Sequence, residues 1–240
     1  MTFNIIFSIP ARLPMDVPIQ AILFLGIIPA LILFYIIIKG YEGYYKDKTI
    51  FLTFIIGIVL GVVAAALRGY MWINAFPWLI FIILFAFFEQ LLKTMVLNIP
   101  RLHFKKETTI YGLSLGLGFG SSFTPFLIIL NVSISGYSNL SFISLVAIGS
   151  LGFILFHAAS GLYVGFGVYS GKLTRYLFGA ILLQLPFNAL ALIAGLFMDP
   201  NFPYFQLGPL LYGAIFFVFA VKKVMPKILT QAERRKRSRK

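Results

Sequence analysis

Runs of about 20 apolar residues recur along the whole chain, and this feature most restricts the folds open to it. An apolar α-helix of roughly this length spans the hydrocarbon core of a bilayer. In hydrocarbon, only helices and closed barrels satisfy their own backbone polar groups. The 240 residues are 60% hydrophobic and 11% charged, whereas a soluble domain keeps roughly a quarter of its residues charged. The sequence therefore predicts an all-α, polytopic membrane protein.

We predict seven transmembrane helices in a single transmembrane domain that covers residues 1–240. Residues 1–18 form a short segment before the first span, without the basic start and cleavage site of a signal peptide. The spans lie at about 19–38, 50–67, 75–97, 109–131, 141–166, 176–196 and 207–224, and residues 225–240 form a basic tail.

Lysine and arginine alternate between the two sides of this bundle. The first, third and fifth connections and the tail are basic, whereas we assign only Arg12 and Arg68 to the other side. By the positive-inside rule, the N-terminus lies outside and the C-terminus lies in the cytoplasm. The net charge of +13 therefore reflects membrane topology, and we expect membrane lipids but no nucleic acid as partners. The chain has no cysteine, which excludes disulfides and thiolate chemistry.

Glu89 is the acidic residue that has apolar sequence on both sides. A carboxylate at the centre of a spanning helix costs about 2.5–3.5 kcal/mol on insertion scales. Such a residue normally faces a partner or a wet cavity within the protein. The question of function therefore becomes a question of what Glu89 faces.

Further polar residues fall at the same predicted depth as Glu89, which lies roughly 12 Å from the inner end of its span at 1.5 Å per residue. His157 in the fifth span and Gln184 in the sixth lie at a similar distance from their inner ends. The remaining members of this predicted polar layer are Lys93, Ser121, Ser122 and Asn188. The coincidence predicts a polar cluster in the inner half of the bundle.

Each of these residues also has a purely structural interpretation. Glu89 and Lys93 are four residues apart on one helix face and can neutralise one another. His157 can be a buried histidine that donates to a carbonyl group. Gln184 and Asn188 share a face and can hold two helices together, at on the order of 0.6 kcal/mol for each bond.

Glycines at four-residue spacing mark the fourth and fifth predicted spans. Small residues at this spacing allow two helix backbones to approach closely. They predict helix packing through Gly112, Gly116, Gly120, Gly161 and Gly165.

Taken in order, these motifs resemble the PrsW and CAAX-protease/bacteriocin-processing family of intramembrane peptidases. The likeness covers about residues 87–190. It consists of an acid followed four residues later by Lys93, the glycine-rich span from Tyr111, the His157 span, and a span in which a polar residue is followed four residues later by Asn188. The resemblance implies that Glu89 and His157 correspond to catalytic residues that activate water or hold a metal. The architecture is also similar to the non-catalytic Aph subunit of γ-secretase, in which the glycines imply packing against partner subunits.

The chain departs from the family pattern at three positions. Gln90 replaces a second acid, Phe123 stands where the glycine-rich span should supply another acid, and Gln184 replaces a second histidine. Catalytic zinc usually takes three protein ligands and a water, and here only Glu89 and His157 are plausible ligands. We therefore expect no cofactor, with zinc as the alternative.

Three functions remain open from the sequence. The first is a non-catalytic scaffold or substrate-binding subunit that engages a transmembrane partner or substrate helix. The second is an active intramembrane metallopeptidase that uses Glu89 and His157. The third is a small transporter that uses Glu89 as its carrier. All three are located in the cell membrane as multi-pass proteins.

Overall fold

The fold is taken from a computed structural model that describes residues 19–73, 77–135, 140–196 and 204–229. Arg12, the segment before the first span and the basic tail from residue 230 onward lie outside the described residues. Within the described residues the regular elements are all helices, joined by short connections, and there is no β-strand. The all-α prediction is therefore confirmed for this part of the chain.

Seven α-helices follow one another along the described residues, each overlapping one predicted span. They are α1 (Ile19–Ile38), α2 (Asp47–Ile73), α3 (Trp78–Leu97), α4 (Glu107–Ser135), α5 (Leu140–Tyr169), α6 (Leu173–Leu196) and α7 (Tyr204–Phe219). A short 3₁₀ turn, Pro100–Leu102, connects α3 to α4. After α7 the chain continues as a π-helical turn, Ala220–Val224, and a 3₁₀ turn, Met225–Ile228.

Five of the described helical stretches are long and apolar enough to cross a membrane. They are Asp47–Met71, Trp78–Leu97, Ala147–Tyr169, Leu173–Leu196 and Tyr204–Ile228, and Leu25–Ile38 is a shorter apolar helix. Such a set is what a multi-pass membrane protein requires.

The main difference from the predicted spans is at the end of α2. The span predicted to end at residue 67 continues to Ile73. Arg68 therefore lies inside a helix and is largely buried, so its assignment to a connection outside the spans was wrong.

Helices α4 and α5 pack backbone against backbone at the centre of the fold. A Cβ atom on Gly116 would overlap the carbonyl oxygen of His157, and one on Gly112 would overlap that of Gly161. Gly120 packs against Ile154, and Gly165 packs against Thr108. The structure thus places all five glycines singled out in the sequence at the contact between α4 and α5. Because glycine has no side chain, the two backbones can lie this close.

The other helices surround this central pair. Helix α2 packs on α4 where Gly57 and Gly61 meet the α4 backbone, and α1 does so through Gly26. Helix α7 packs on α5, where Gly213 meets Gly152. Helix α3 lies against α6 and α5 and contacts α2 and α4. This arrangement brings the middle of α3 beside four other helices.

Candidate functional site: a buried polar cluster on helix α3

One face of α3 is polar, and that face is turned into the protein. Glu89, Gln90 and Lys93 each have 0% of their surface exposed, whereas Phe87 and Leu91 on the opposite side are exposed. In a chain that crosses a bilayer, this orientation keeps the polar groups away from lipid. Helix α3 therefore presents an acid, an amide and a base to its neighbours.

The carboxylate of Glu89 is bound by side chains from two other helices. Its Oε1 atom lies 2.6 Å from Nη2 of Arg68 on α2, and its Oε2 atom accepts a hydrogen bond from Nε2 of Gln184 on α6. Nε2 of His157 on α5 lies 3.7 Å from Oε2. The acid and the imidazole predicted to converge are thus neighbours in the structure.

Arg68 is one of the cluster residues that the sequence reasoning missed. Besides Glu89, its Nη2 atom donates to Oδ1 of Asn188 at 3.2 Å. The guanidinium carbon lies 4.6 Å from the centre of the Phe85 ring and 5.7 Å from that of Phe123. Aromatic faces attract a guanidinium ion and exclude water from it. A detectable signal was the apolar sequence 71–73 after Arg68, which extends the second span.

The hydrogen bonds of the two glutamines have a fixed direction. A carboxylate only accepts, so the amide nitrogen of Gln184 must face Glu89. The amide oxygen of Gln184 is therefore left to accept, and it does so from Nε2 of Gln90. Hydrogen bonds thus run from Gln90 to Gln184 and from Gln184 to Glu89. The Oε1 atom of Gln90 is buried without a hydrogen-bond partner.

Lys93 does not neutralise Glu89 by direct pairing but reaches α5. Its Nζ atom lies 2.8 Å from Nδ1 of His157 and 2.7 Å from Oγ of Ser160. When Lys93 is an ammonium group, which only donates, Nδ1 accepts and the neutral ring carries its hydrogen on Nε2, which faces Glu89. Ser160 also escaped the sequence reasoning, although it lies three residues after His157 and so shares its helix face.

Aromatic rings enclose the imidazole of His157. The Phe123 ring stacks on it with a centroid distance of 5.3 Å and an interplanar angle of 18°, and the Phe119 ring lies 4.7 Å away. Phe119 also lies 4.9 Å from Nζ of Lys93. Phe123, which stands where the resemblance expects an acid, therefore borders the cluster with an apolar face.

Asn188 lies at the edge of the cluster and connects α6 to α3. It accepts from Arg68, and its own amide nitrogen donates to the backbone oxygen of Ile82 at 3.0 Å. It therefore holds Arg68 and α3 in position.

The two serines predicted to support the polar layer are not part of the bonded network. Both are buried, but their hydroxyl groups donate to carbonyl groups of their own helix: Ser121 to Gly118, and Ser122 to Phe119. The prediction relied on depth alone, and depth does not determine which way a hydroxyl group turns.

The charges and ligand types in the cluster do not suit zinc. Among the described residues, no three His, Cys, Asp or Glu side chains are grouped so that they could hold a metal ion. Glu89 and His157 are two donors, and the third neighbouring group is the amide of Gln184, a poor zinc ligand. Arg68 is bonded to the carboxylate and Lys93 to Nδ1 of the imidazole, so two basic side chains already lie beside the two donors.

Comparison with known proteins adds no family assignment. No protein family model, curated protein or solved structure matches the chain.

Proposed function

We propose that this chain is a non-catalytic membrane protein with the frame of the PrsW and CAAX-protease family, acting as a scaffold or substrate-binding subunit. It has seven spans, with the N-terminus outside and the basic C-terminus in the cytoplasm. The proposal rests on the resemblance of the motifs and on what the residues of the cluster do to one another.

The observation that carries the proposal is the pairing of Glu89 on both of its oxygen atoms. A general base must be free to take a proton from a water or a substrate group. Here Oε1 is 2.6 Å from a guanidinium group and Oε2 accepts from an amide. Both carboxylate oxygens are therefore already engaged by side chains of the protein.

The three departures from the family pattern support the same conclusion. Gln90 and Gln184 are hydrogen-bonded to each other, and Phe123 stacks on His157. These residues lie in or beside the cluster. Where the family pattern has reactive groups, their neutral side chains form hydrogen bonds or pack against neighbours. The neutral side chains leave fewer groups in the cluster that could protonate a leaving amine.

A peptide-cleavage assay in nanodiscs tests the proposal. Purified protein is incubated with transmembrane peptides, products are identified by mass spectrometry, and zinc is measured by elemental analysis. We expect no cleavage above the rate without protein and far less than one zinc per chain. Glu89→Gln serves as the site variant, and Glu42→Gln, which changes an exposed acid, is its control. Cleavage that is abolished in Glu89→Gln and retained in Glu42→Gln would overturn the proposal.

An active peptidase is the second candidate, and one distance favours it. Nε2 of His157 lies 3.7 Å from Oε2 of Glu89, and this nitrogen has no hydrogen-bond partner. A small rotation of either side chain would join them into an acid–imidazole pair. The cleavage assay distinguishes this candidate from the first.

A further inference from the structure

Three connections between helices meet at one end of the bundle. The α3–α4 connection contacts the α1–α2 connection, where Nζ of Lys106 lies 5.9 Å from the centre of the Tyr44 ring. It also contacts the α5–α6 turn, where Gly171 packs against the ring of Phe104. All three connections carry exposed basic side chains, so we call this end of the bundle the basic end.

The charge is distributed unequally along the helices. The turn after α7 also lies at the basic end, because Nζ of Lys227 is 5.6 Å from the centre of the Phe166 ring near the end of α5. Towards the opposite end of the bundle, the described residues provide one charged side chain, that of Arg68, and it is buried. The exposed charge of the described part of the chain is therefore confined to the basic end.

Some of the basic side chains lie on the apolar outer faces of helices. Lys48 is exposed near the start of α2, and the exposed Phe51 and Leu52 follow it by three and four residues. Arg175 is exposed in the first turn of α6 and is followed after three residues by the exposed Phe178. Residues three or four apart share one helix face. These cations therefore lie directly beside apolar surface that, in a chain crossing a bilayer, contacts lipid.

The same arrangement recurs at the ends of α1 and α7. Lys39 follows the exposed Ile36 by three residues, and Lys222 and Lys223 follow the exposed Phe219 by three and four. Four outer helices thus each end in a cation beside exposed apolar side chains. We call this set the basic rim, and it consists of Lys39, Lys48, Arg175, Lys222 and Lys223.

The acidic residues nearest to the rim are fewer and are held by the backbone. Oε1 of Glu42 accepts a hydrogen bond from the backbone nitrogen of Gly40. Asp47 lies in the first turn of α2, where the helix dipole stabilises a negative charge. With these two acids against five basic residues, the rim keeps a net positive charge.

The position of the rim indicates which anion it meets. Long basic side chains lay their apolar stems along a helix and extend the charged group into the head-group region of a bilayer. Phospholipids border these helix faces at all times, whereas a soluble anion has to arrive from the water. A negatively charged head group therefore matches both the charge of the rim and the apolar surface beside it.

We infer that the basic rim binds the head groups of anionic phospholipids. The inference goes beyond the proposed scaffold role and does not depend on whether the chain is catalytic. Zwitterionic phospholipids associate more weakly with the same surface, because their head groups carry no net negative charge.

Electron spin resonance of spin-labelled phospholipids tests this inference on the complete chain in phosphatidylcholine vesicles. We expect phosphatidylglycerol to associate at least about threefold more strongly than phosphatidylcholine, averaged over the lipids that touch the protein. Raising sodium chloride from about 0.05 M to about 0.5 M should reduce this preference, because exposed charges are screened. Equal association of the two lipids with the unmodified protein at low salt would overturn the inference without any variant.

Two matched triple variants then locate the preference. The rim variant is Lys48→Gln, Arg175→Gln and Lys222→Gln, and it should lose most of the preference for phosphatidylglycerol. The control variant removes the same number of exposed charges from the connections at the same end, through Lys46→Gln, Lys105→Gln and Lys172→Gln, and it should keep most of it. Both variants retain the basic tail. Equal losses in the two variants would contradict a site at the rim.

Further measurements separate charge from shape, and lipid from free anion. Lys48→Arg combined with Lys222→Arg keeps the charge and should keep the preference, and its loss in this variant would contradict a site that recognises charge. If sodium phosphate abolished the preference at an ionic strength at which sodium chloride does not, the rim would bind free phosphate and the inference would fail.

The inference and the proposed function can fail separately. If phosphatidylglycerol is preferred through the rim and transmembrane peptides are cleaved, the non-catalytic role fails and the inference stands. If neither lipid is preferred and no peptide is cleaved, the inference fails and the non-catalytic role stands.

Discussion

Arg68 on α2 and Glu89 on α3 form a buried ion pair, with Nη2 and Oε1 2.6 Å apart, although 21 positions separate them in the chain. The pair connects two consecutive helices at the level where α5 and α6 also contribute polar groups. The pair lies on the buried face of α3.

The first prediction concerns this pair. Arg68→Met should lower the free energy of unfolding by about 3–5 kcal/mol, because it leaves a buried carboxylate without its cation. Arg68→Met combined with Glu89→Gln should be more stable than Arg68→Met alone, because the uncompensated charge is gone. Unfolding in mixed detergent micelles measures all variants. Arg175→Met removes an exposed arginine and should have no comparable effect, and a double variant as unstable as the sum of the single ones would contradict the pairing.

The second prediction concerns Gln184. Gln184→Leu should destabilise the protein by about 1–3 kcal/mol, because it removes a donor from Glu89 and the acceptor of Gln90. Gln184→Glu should be worse than Gln184→Leu, since it places a second carboxylate beside Glu89. The same unfolding assay decides the order. A Gln184→Glu variant more stable than wild type would show that Glu89 is not the bound carboxylate described here.

The third prediction concerns Lys93 and His157. Lys93→Met and His157→Phe should each destabilise the protein, by about 1–3 kcal/mol, because each leaves the other buried group short of a partner. The double variant should recover much of this loss, since a buried polar pair replaced by apolar groups of similar size is often tolerated. The checking measurement is the coupling energy from the double-mutant cycle. A coupling energy near zero would be inconsistent with the 2.8 Å contact.

The fourth prediction concerns the contact between α4 and α5. Gly116→Ala should cost about 1–3 kcal/mol or more, because its Cβ would overlap the His157 carbonyl and neither backbone can yield cheaply. Gly208→Ala, in α7, is the matched control: the nearest atom to its Cβ is a leucine methyl group at 3.4 Å. The control should be neutral or slightly stabilising, because alanine favours the helix. Equal effects of the two substitutions on the unfolding midpoint would refute close packing at Gly116.

The fifth prediction concerns topology. Single cysteines at Lys105 and Ser238 should react with a membrane-impermeant maleimide only after cells are opened, whereas one at Asn139 should react in intact cells. Labelling of all three from the same side would contradict the proposed orientation. A tail cysteine that reacts in intact cells would place the C-terminus outside.

The positions of the helices could be read from the sequence because apolar runs report burial in lipid or protein over many residues. The convergence of Glu89, His157 and Gln184 could also be anticipated, because polar residues at equal depth in one bundle avoid lipid by facing the interior, where they meet. Arg68 could not be assigned this way. An arginine at the end of an apolar run is typical of a membrane boundary. Only its contacts with Glu89 on α3 and Asn188 on α6 show that its long side chain turns inward. Hydroxyl directions, as at Ser121 and Ser160, depend on local backbone acceptors and on neighbouring helices, which a single sequence does not show.

The glycine contact between α4 and α5 limits how this protein can change shape. Carbonyl groups of one helix lie against α-carbons of the other. If one helix slid by a single residue, Gly116 and Gly120 would no longer face the backbone atoms that they contact. The central pair must therefore move as one rigid body. Any opening that admits another molecule has to come from movement of the outer helices relative to the α4–α5 pair.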